Sequence, residues 1–437
     1  MKRRSLLLIL IALMSVSLFA GGAAESVSSN DGAIDTVIDS PVRIEFWHSF
    51  SGTQLETIEG LCDEFNATVG AEKGITVVPV AQGSSTKLYS KVIGAIKAGN
   101  APAVALANPK FVQDYITADY VVDLKPYIED PEVGMEDYDD FFKAFREESE
   151  SYSIPGIYSL PLAKNSDVLY YNADLFEELG LEPPTTWEEL EEVSRVIYGI
   201  TGKGAMGYDN IQYLFENLTL QYGGGYTDSE GNLLFADSPE AVEALEMYAG
   251  NVKEGIWRTA GEDYFFSGPF AKETIQMYIG GTVESSYINM KEPSFRWSAT
   301  ALPQKDPDNP KTLCYDHVIC ALRNNDNPES QYAAYEFIKF LTSTESSKAI
   351  SMNTSYMAVR QSVLEDPEYA SFLAEGGNDA LKAAYSQIDS LYHQANFVCD
   401  TYTTSTVDNE VTSMMKKVLE NGEDPKTAID AAVKALR

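Results

Sequence analysis

The stretch Val42-Arg43-Ile44-Glu45-Phe46-Trp47-His48-Ser49-Phe50-Ser51-Gly52-Thr53 reads as a strand, a small polar loop and the start of a helix. Val42, Ile44 and Phe46 alternate with Arg43 and Glu45, the period-two signal of a half-buried strand. Thr53 and Glu56 have the spacing of a capping box, and Leu55, Ile58, Cys62 and Phe65 then recur at helical intervals. A βα unit of this kind puts Trp47 to Ser51 at the carboxyl end of a strand, where open α/β sheets take their ligands.

The same rhythm continues downstream. A second strand, Ile75-Thr76-Val77-Val78-Pro79-Val80, ends in Gln82-Gly83-Ser84-Ser85, and a helix with Leu88, Val92, Ile93 and Ile96 closes at Gly99. The run from Ala101 to Asn108 is a short apolar strand of the buried parallel kind. Strands alternating with helices predict an α/β domain with a parallel sheet. Near Ile154 the pattern changes: strands Gly156–Pro161 and Val168–Asn172 flank an expected loop, Leu162-Ala163-Lys164-Asn165-Ser166-Asp167, which reads as the chain leaving one lobe for another.

Beyond it, Thr186 and Glu189 form a capping box for a helix, read as purely structural. Gly207-Tyr208-Asp209-Asn210 ends a short strand, Thr227 to Asn232 is a turn, and Ser238-Pro239 opens another helix. The Asp228 region lacks the ligand spacing of a calcium loop. Late strands are expected over Phe295–Leu302 and Leu313–Leu322, a helix over Ser330–Ala349, and terminal helices over Asn409–Leu419 and Pro425–Leu436.

At 437 residues the chain is too long for one ordinary core, so two domains are expected. Met1-Lys2-Arg3-Arg4 followed by the apolar run Ser5–Phe19 and the small residues Ala20 to Ala24 reads as a cleaved secretory leader, cut after Ala20 or Ala24. Glu25 to Pro41 is polar and aperiodic, a flexible tether. Removing residues 1–24 takes away three basic residues and no acid, which moves the formal charge from −34 to −37. Such acidity argues against nucleic acid and anionic membrane surfaces as partners, since both need Lys/Arg clusters. No further apolar run spans a membrane, and no Cys at the leader junction supports a lipid anchor, so a soluble periplasmic or extracytoplasmic product is expected. Cys62, Cys314, Cys320 and Cys399 permit three pairings; Cys314 and Cys320 share one expected strand, too far apart to bond, and buried thiols are the safer reading.

No catalytic or cofactor constellation is visible. The three histidines (His48, His317 and His393) form no HExxH, and there is no GxSxG, no phosphate-binding glycine loop and no Cys/His spacing for a metal. With 66 acids, paired carboxylates carry no information about glycoside hydrolysis. A single His in a loop is more often a hydrogen-bonding side chain than a ligand contact.

Several stretches, in order, carry a family resemblance: Phe46-Trp47-His48-Ser49, Phe65-Asn66-Ala67, Val78-Pro79 with Gly83, Ala98-Gly99-Asn100-Ala101-Pro102-Ala103, Val168-Leu169-Tyr170-Tyr171-Asn172, Pro184-Thr185-Thr186-Trp187 and Thr354-Ser355-Tyr356. Through them the chain resembles the extracellular solute-binding proteins (family 1) of ABC importers, nearest the sn-glycerol-3-phosphate-binding branch. The resemblance implies an α/β, two-lobed periplasmic-binding-protein fold (type II), with a ligand cleft between lobes joined by a hinge. It implies a monomer that delivers a small solute to the transmembrane subunits of an ABC permease, with no cofactor and no catalysis. Lobe one is expected over 41–160 and 300–330, lobe two over 161–299 and 331–437. In the glycerol-phosphate branch the pocket uses a Tyr, a Glu, a Ser, a late Tyr and an Arg; the corresponding positions here are Ser85, Pro109 beside Asn108, Asn165, Tyr356 and Asp400-Thr401. Only the late Tyr is kept. Losing the Arg matters most, because bidentate Arg contacts hold phosphate well; Arg360 and Lys164 are the remaining candidates for that role.

The helix start at Ser51-Gly52-Thr53 offers a possible anion seat. Against it, Trp47, Tyr208, Tyr315, Tyr356 and Tyr402 supply aromatic faces near the expected cleft, while Asn108, Asn165, Asp167, Asp209, Asp316 and Asp400 supply acceptors. Rings with amides and carboxylates suit a neutral sugar or polyol. The expected ligand set is therefore Trp47, His48, Ser49, Ser84, Ser85, Asn108, Asn165, Asp167, Tyr208, Asp209, Tyr315, Asp316, Tyr356 and Asp400, with a carbohydrate preferred over glycerol 3-phosphate or a glycerophosphodiester. An exported carbohydrate-active enzyme and a sensing receptor are the rival readings.

Overall fold

The computed structural model describes residues 34–323, 327–397, 399 and 401–437. The leader and most of the tether lie outside the described residues; Ile34 and Ile38, in the segment expected as tether, pack half-buried against the core. Ten strands make one connected sheet: β1 Val42–His48, β2 Ile75–Ala81, β3 Val104–Ala107, β4 Leu160–Asn172, β5 Met206–Tyr208, β6 Trp257–Arg258, β7 Met277–Gly281, β8 Trp297–Ala301, β9 Thr312–Ala321 and β10 Leu391–His393. Their order is β2-β1-β3-β9-β4-β7-β5-β6, with β10 on β9 and β8 on β4.

The opening βα unit forms as expected. β1 lies between β2 and β3 and runs parallel to both, with Phe46 opposite Pro79 and Val104. Ile44, Phe46 and His48 turn to one buried face while Arg43, Glu45 and Trp47 turn to the other. The capping box at Thr53 does not form. Gly52 occupies the N-cap with φ 55°, a backbone conformation that favours glycine, and Thr53 is already helical in Thr53–Ala67.

The largest departure is at Leu162–Asp167. Instead of a loop between two strands, β4 runs unbroken for 13 residues, nearly all of them buried. Its first half, Leu160 to Ser166, pairs antiparallel with β9; from Asp167 onward it pairs with β7 and β8. The polar residues that read as a loop are satisfied in place. Lys164 bonds Glu148 at 2.6 Å, Asn165 bonds Asp316 and Thr282, and Asp167 accepts from Tyr208, Tyr315 and Asn217. Buried polar groups survive in a strand when each finds a partner.

Two core clusters flank this shared strand. The first is built on β1–β3 and β9 and includes Phe46, Phe65, Val92 and Ile319; the second is built on β5–β7 and includes Trp187, Tyr208, Leu245 and Trp257. Helices Pro328–Leu341 and Thr344–Thr354, expected as one helix of the second lobe, are two helices separated at Ser343, which caps the second of them. Phe337 packs edge-on to Phe46 and Phe65, so the first of these helices belongs with the first cluster. An amphipathic stretch shows that it is buried, without showing which sheet buries it. The terminal helices Thr404–Asn421 and Pro425–Leu436 join the second cluster through Val407, Met414, Ile429 and Val433.

Candidate functional site

The carboxyl ends of β3, β5 and β7 and the middle of β4 and β9 converge where the two halves of the sheet meet. Asn108, Pro109 and Lys110 from the end of β3, Tyr213 from the helix Ile211–Gln221, Leu313 to Asp316 from β9, and Gln394 and Asn396 after β10 line a narrow cavity there. Asp316 holds φ at 79° inside β9, an uncommon backbone for a non-glycine residue and of the kind that concentrates at functional sites. The aromatic ring of Tyr315 lies 4.3 Å from that of Tyr213.

Beside the cavity stands a dense acceptor network. Tyr208 and Tyr315 donate their hydroxyls to Asp167, and Asn217 Nδ2 bridges Tyr208 and Asp167. Burial pushes the Asp167 carboxyl up to about 6, against the lowering effect of these donors. Asn165 Oδ1 accepts from Thr282 at 2.6 Å while its amide donates to Asp316 at 3.0 Å. Gly281 is tightly fitted here: a Cβ added to it would lie 2.5 Å from Asn165 Nδ2 and 2.7 Å from the Tyr315 hydroxyl. Asp209, just past β5, accepts the Phe266 N–H at 2.6 Å. Its burial beside Glu284 holds the carboxyl well above the usual carboxylate range.

Among the residues expected from sequence, the structure brings together Asn165, Asp167, Tyr208, Tyr315 and Asp316 by hydrogen bonds, Asn108 lines the same cavity as Tyr315 and Asp316, and Asp209 adjoins Tyr208 in the chain. Ser49 and Ser85 also meet, with their hydroxyls 3.3 Å apart, at the ends of β1 and β2. Ser84 is engaged locally, capping the helix Ser85–Ala98 through Lys87 N. Trp47 is not drawn into this group: its indole N–H donates to Glu45 on its own strand face. His48 is fully buried between the rings of Phe46 and Phe50, a core position rather than a rim. Burial lowers its pKa to about 4. Tyr356 packs against Phe50 and His317 at the edge of the first cluster. Asp400 lies outside the described residues, and Tyr402 donates to the Gly231 carbonyl.

Both expected phosphate partners are committed elsewhere. Lys164 is buried against Glu148, and the buried Arg360 guanidinium is paired with Asp137 and bonded to the Thr342 carbonyl. Lys110 does line the cavity, and it bridges to Asp408 at 2.7 Å. Sequence reasoning missed Lys110, Tyr213, Glu284 and Asp408. For Lys110 and Glu284 a signal existed, since each follows the carboxyl end of a buried strand by three residues.

A sheet split into two halves around a shared strand, with strand ends facing a polar, aromatic cleft, defines a two-lobed binding protein. Residues 60–375 match the family described as bacterial extracellular solute-binding protein, and the chain belongs to that family. It is 24% identical over 421 residues to the sn-glycerol-3-phosphate-binding periplasmic protein UgpB of Rhizobium meliloti, covering 90% of this chain and 92% of that one. Two solved structures share the fold. The cyclic alpha-maltosyl-1,6-maltose binding protein of Arthrobacter globiformis has a TM-score of 0.77 at 21% identity, over 91% of this chain and 98% of that one. UgpB from Mycobacterium tuberculosis, in complex with glycerophosphocholine, has a TM-score of 0.78 at 20% identity, over 90% and 97%. The α/β two-lobed architecture of the periplasmic binding proteins, expected from sequence, is thus the fold of this chain. Proteins of this family are extracellular solute-binding proteins. No helix among the described residues is long and apolar enough to cross a membrane.

Proposed function

We propose that this protein captures a sugar or other carbohydrate outside the cytoplasm, after export through its leader, and delivers it to an ABC permease. The supporting observation is the makeup of the cleft: tyrosine rings and carboxylate or amide oxygens surround it, while the nearby cations Lys110 and Lys164 are already paired. Sugar hydroxyls donate to such acceptors, and their apolar ring faces stack on aromatics. The solute bridges the two lobes and shifts the population toward the closed form that the permease recognises. Asn108, Asn165, Tyr213, Tyr315 and Asp316 are its contacts in this reading.

Likeness to proteins named for sn-glycerol-3-phosphate binding favours a second reading, a glycerol phosphate or glycerophosphodiester ligand. Thermal-shift and calorimetric titration against a panel of mono- and oligosaccharides, glycerol 3-phosphate and glycerophosphodiesters separates the two. Carbohydrate binding is the expected result. A large shift with glycerol 3-phosphate and none with any sugar overturns the carbohydrate reading.

A further inference from the structure

We propose that the solute carries a protonated amine, held between the carboxyls of Asp209 and Glu284; this rests on the carbohydrate reading and narrows it to amino sugars. Asp209 follows β5 and Glu284 follows β7, and these strands are parallel neighbours with Tyr208 opposite Ile279. The Asp209 carboxyl and the Glu284 side chain both border Gly280. A Cβ at Gly280 would sit 2.8 Å from Asp209 Oδ2 and 3.4 Å from Glu284 Cγ.

Each carboxyl has one oxygen without a partner. Asp209 Oδ1 accepts the Phe266 N–H, yet Oδ2 has none, and the same holds for Oε2 of Glu284, a side chain in a residue only 9% exposed. An unpartnered buried acceptor is costly, more so when it is charged, so two together need an explanation. The neighbouring charges make matters worse, because Asp167 adds negative potential at Asp209 and Asp316 adds it at Glu284. Ser267 donates a hydroxyl to Glu284, and Lys291 offers only partial compensation, its ammonium bonded to the Tyr287 carbonyl. Desolvation holds the Glu284 carboxyl up at about 7, consistent with a site that lacks its counter-charge.

A sugar hydroxyl could fill one free oxygen and would leave two like carboxyls side by side. An ammonium brings three donors and the missing positive charge. Aromatic surface stands close by: the 39% exposed Tyr287 lies near enough to Glu284 to feel its charge, and Phe266 donates its N–H to Asp209. Rings of this kind favour a cation near their faces.

The test is calorimetry at pH 7 with matched sets: glucose, glucosamine and N-acetylglucosamine; the galactose counterparts; and cellobiose, chitosan disaccharide and diacetylchitobiose. In at least one set the free amine should bind about tenfold more tightly than both its hydroxyl and N-acetyl counterparts, and Glu284→Gln or Asp209→Asn should erase that preference. Two variants are used, each checked for its melting midpoint, so that misfolding of one is not read as loss of a contact. Neutral sugars binding as well as the amines, or binding where no amine does, overturns this inference and leaves the carbohydrate reading standing. If no sugar of either kind binds and glycerophosphodiesters do, both fall.

Discussion

Lys110 Nζ lies 2.7 Å from Asp408 Oδ2 and thereby ties the helix that follows β3 to the C-terminal helix Thr404–Asn421, across the cleft. The carboxylate is almost fully buried and already accepts from Tyr226 and Gln394 through its other oxygen. Next to it, the buried Glu216 carboxyl is pushed well above its usual range by desolvation and by the Asp408 charge. The ion pair therefore joins the two halves and also balances a local excess of negative charge. Lys110→Ala is expected to loosen the contact between lobes, at a cost of about 1–3 kcal/mol for a hydrogen bond between charged groups. Small-angle scattering of the free protein should show a larger radius of gyration. Unchanged scattering and unchanged solute affinity would show that the pair does not restrain the lobes.

Gly281→Ala should damage solute binding more than its single added methyl suggests. The new Cβ meets Asn165 and the Tyr315 hydroxyl, both of which carry bonds to Asp316 or Asp167, so the network must shift. Overpacking of this kind costs typically about 1–3 kcal/mol. A variant that melts and binds like the parent would mean that the cleft floor is softer than the geometry indicates.

Glu148→Ala would strand the Lys164 ammonium, which is fully buried on β4. Breaking one partner of a buried pair costs about 3–5 kcal/mol. Chemical denaturation should register the full loss. Replacing both residues together with apolar side chains should recover most of it, and failure to do so would point to a role beyond charge pairing.

Acid should weaken the fold through His48. Its pKa falls from an ordinary 6.5 to about 4 on folding, because the ring is desolvated among phenylalanines and neither nitrogen has a partner. Between those values the unfolded chain holds a proton that the folded chain does not, so stability is lost as pH falls. At pH 5 the loss from this group is about 2 kcal/mol. Asp167 works in the opposite sense: raised to about 6, it takes up its proton first in the folded state and gains stability as pH falls through 6. The two effects separate on mutation. His48→Phe should lack the acid-sensitive loss, so its stability relative to the parent should rise by about 2 kcal/mol between pH 7 and pH 5 in denaturation experiments, and parallel profiles would contradict the assignment.

The first three strands, their parallel pairing and the Thr186–Glu189 capping box were legible because each is written locally, in alternation, spacing or a cap, whereas the antiparallel insertion of β9 and β4 into the sheet was not. Thr53 shows the limit of such signals: its spacing to Glu56 suits a cap, yet Gly52 can adopt a backbone that starts the helix one residue earlier. The segment Leu162–Asp167 was misread for a different reason. Lys, Asn and Asp in succession look like a solvated loop unless their partners are known, and Glu148, Asp316 and Tyr208 come from distant parts of the chain. Of the site, residues at strand ends could be named from sequence. Lys110–Asp408 could not, since it joins helices 298 residues apart. His48 was drawn toward the cleft by its motif, although the alternation of β1 already assigned it to the face of Ile44 and Phe46.

The placement of β9 has a consequence for how the chain is made. β3 ends at Ala107, and the strand that covers its open edge begins at Thr312, roughly 200 residues later. Until that strand and the helix Pro328–Leu341 have been synthesised, β1 to β3 present an unpaired edge and an uncovered apolar face. A nascent chain of 300 residues therefore carries the sequence of most of its first half without the means to fold it. Long-range closure of this kind slows folding. It keeps the polypeptide pliable until synthesis is nearly finished, the condition in which a chain can still be threaded through a narrow pore.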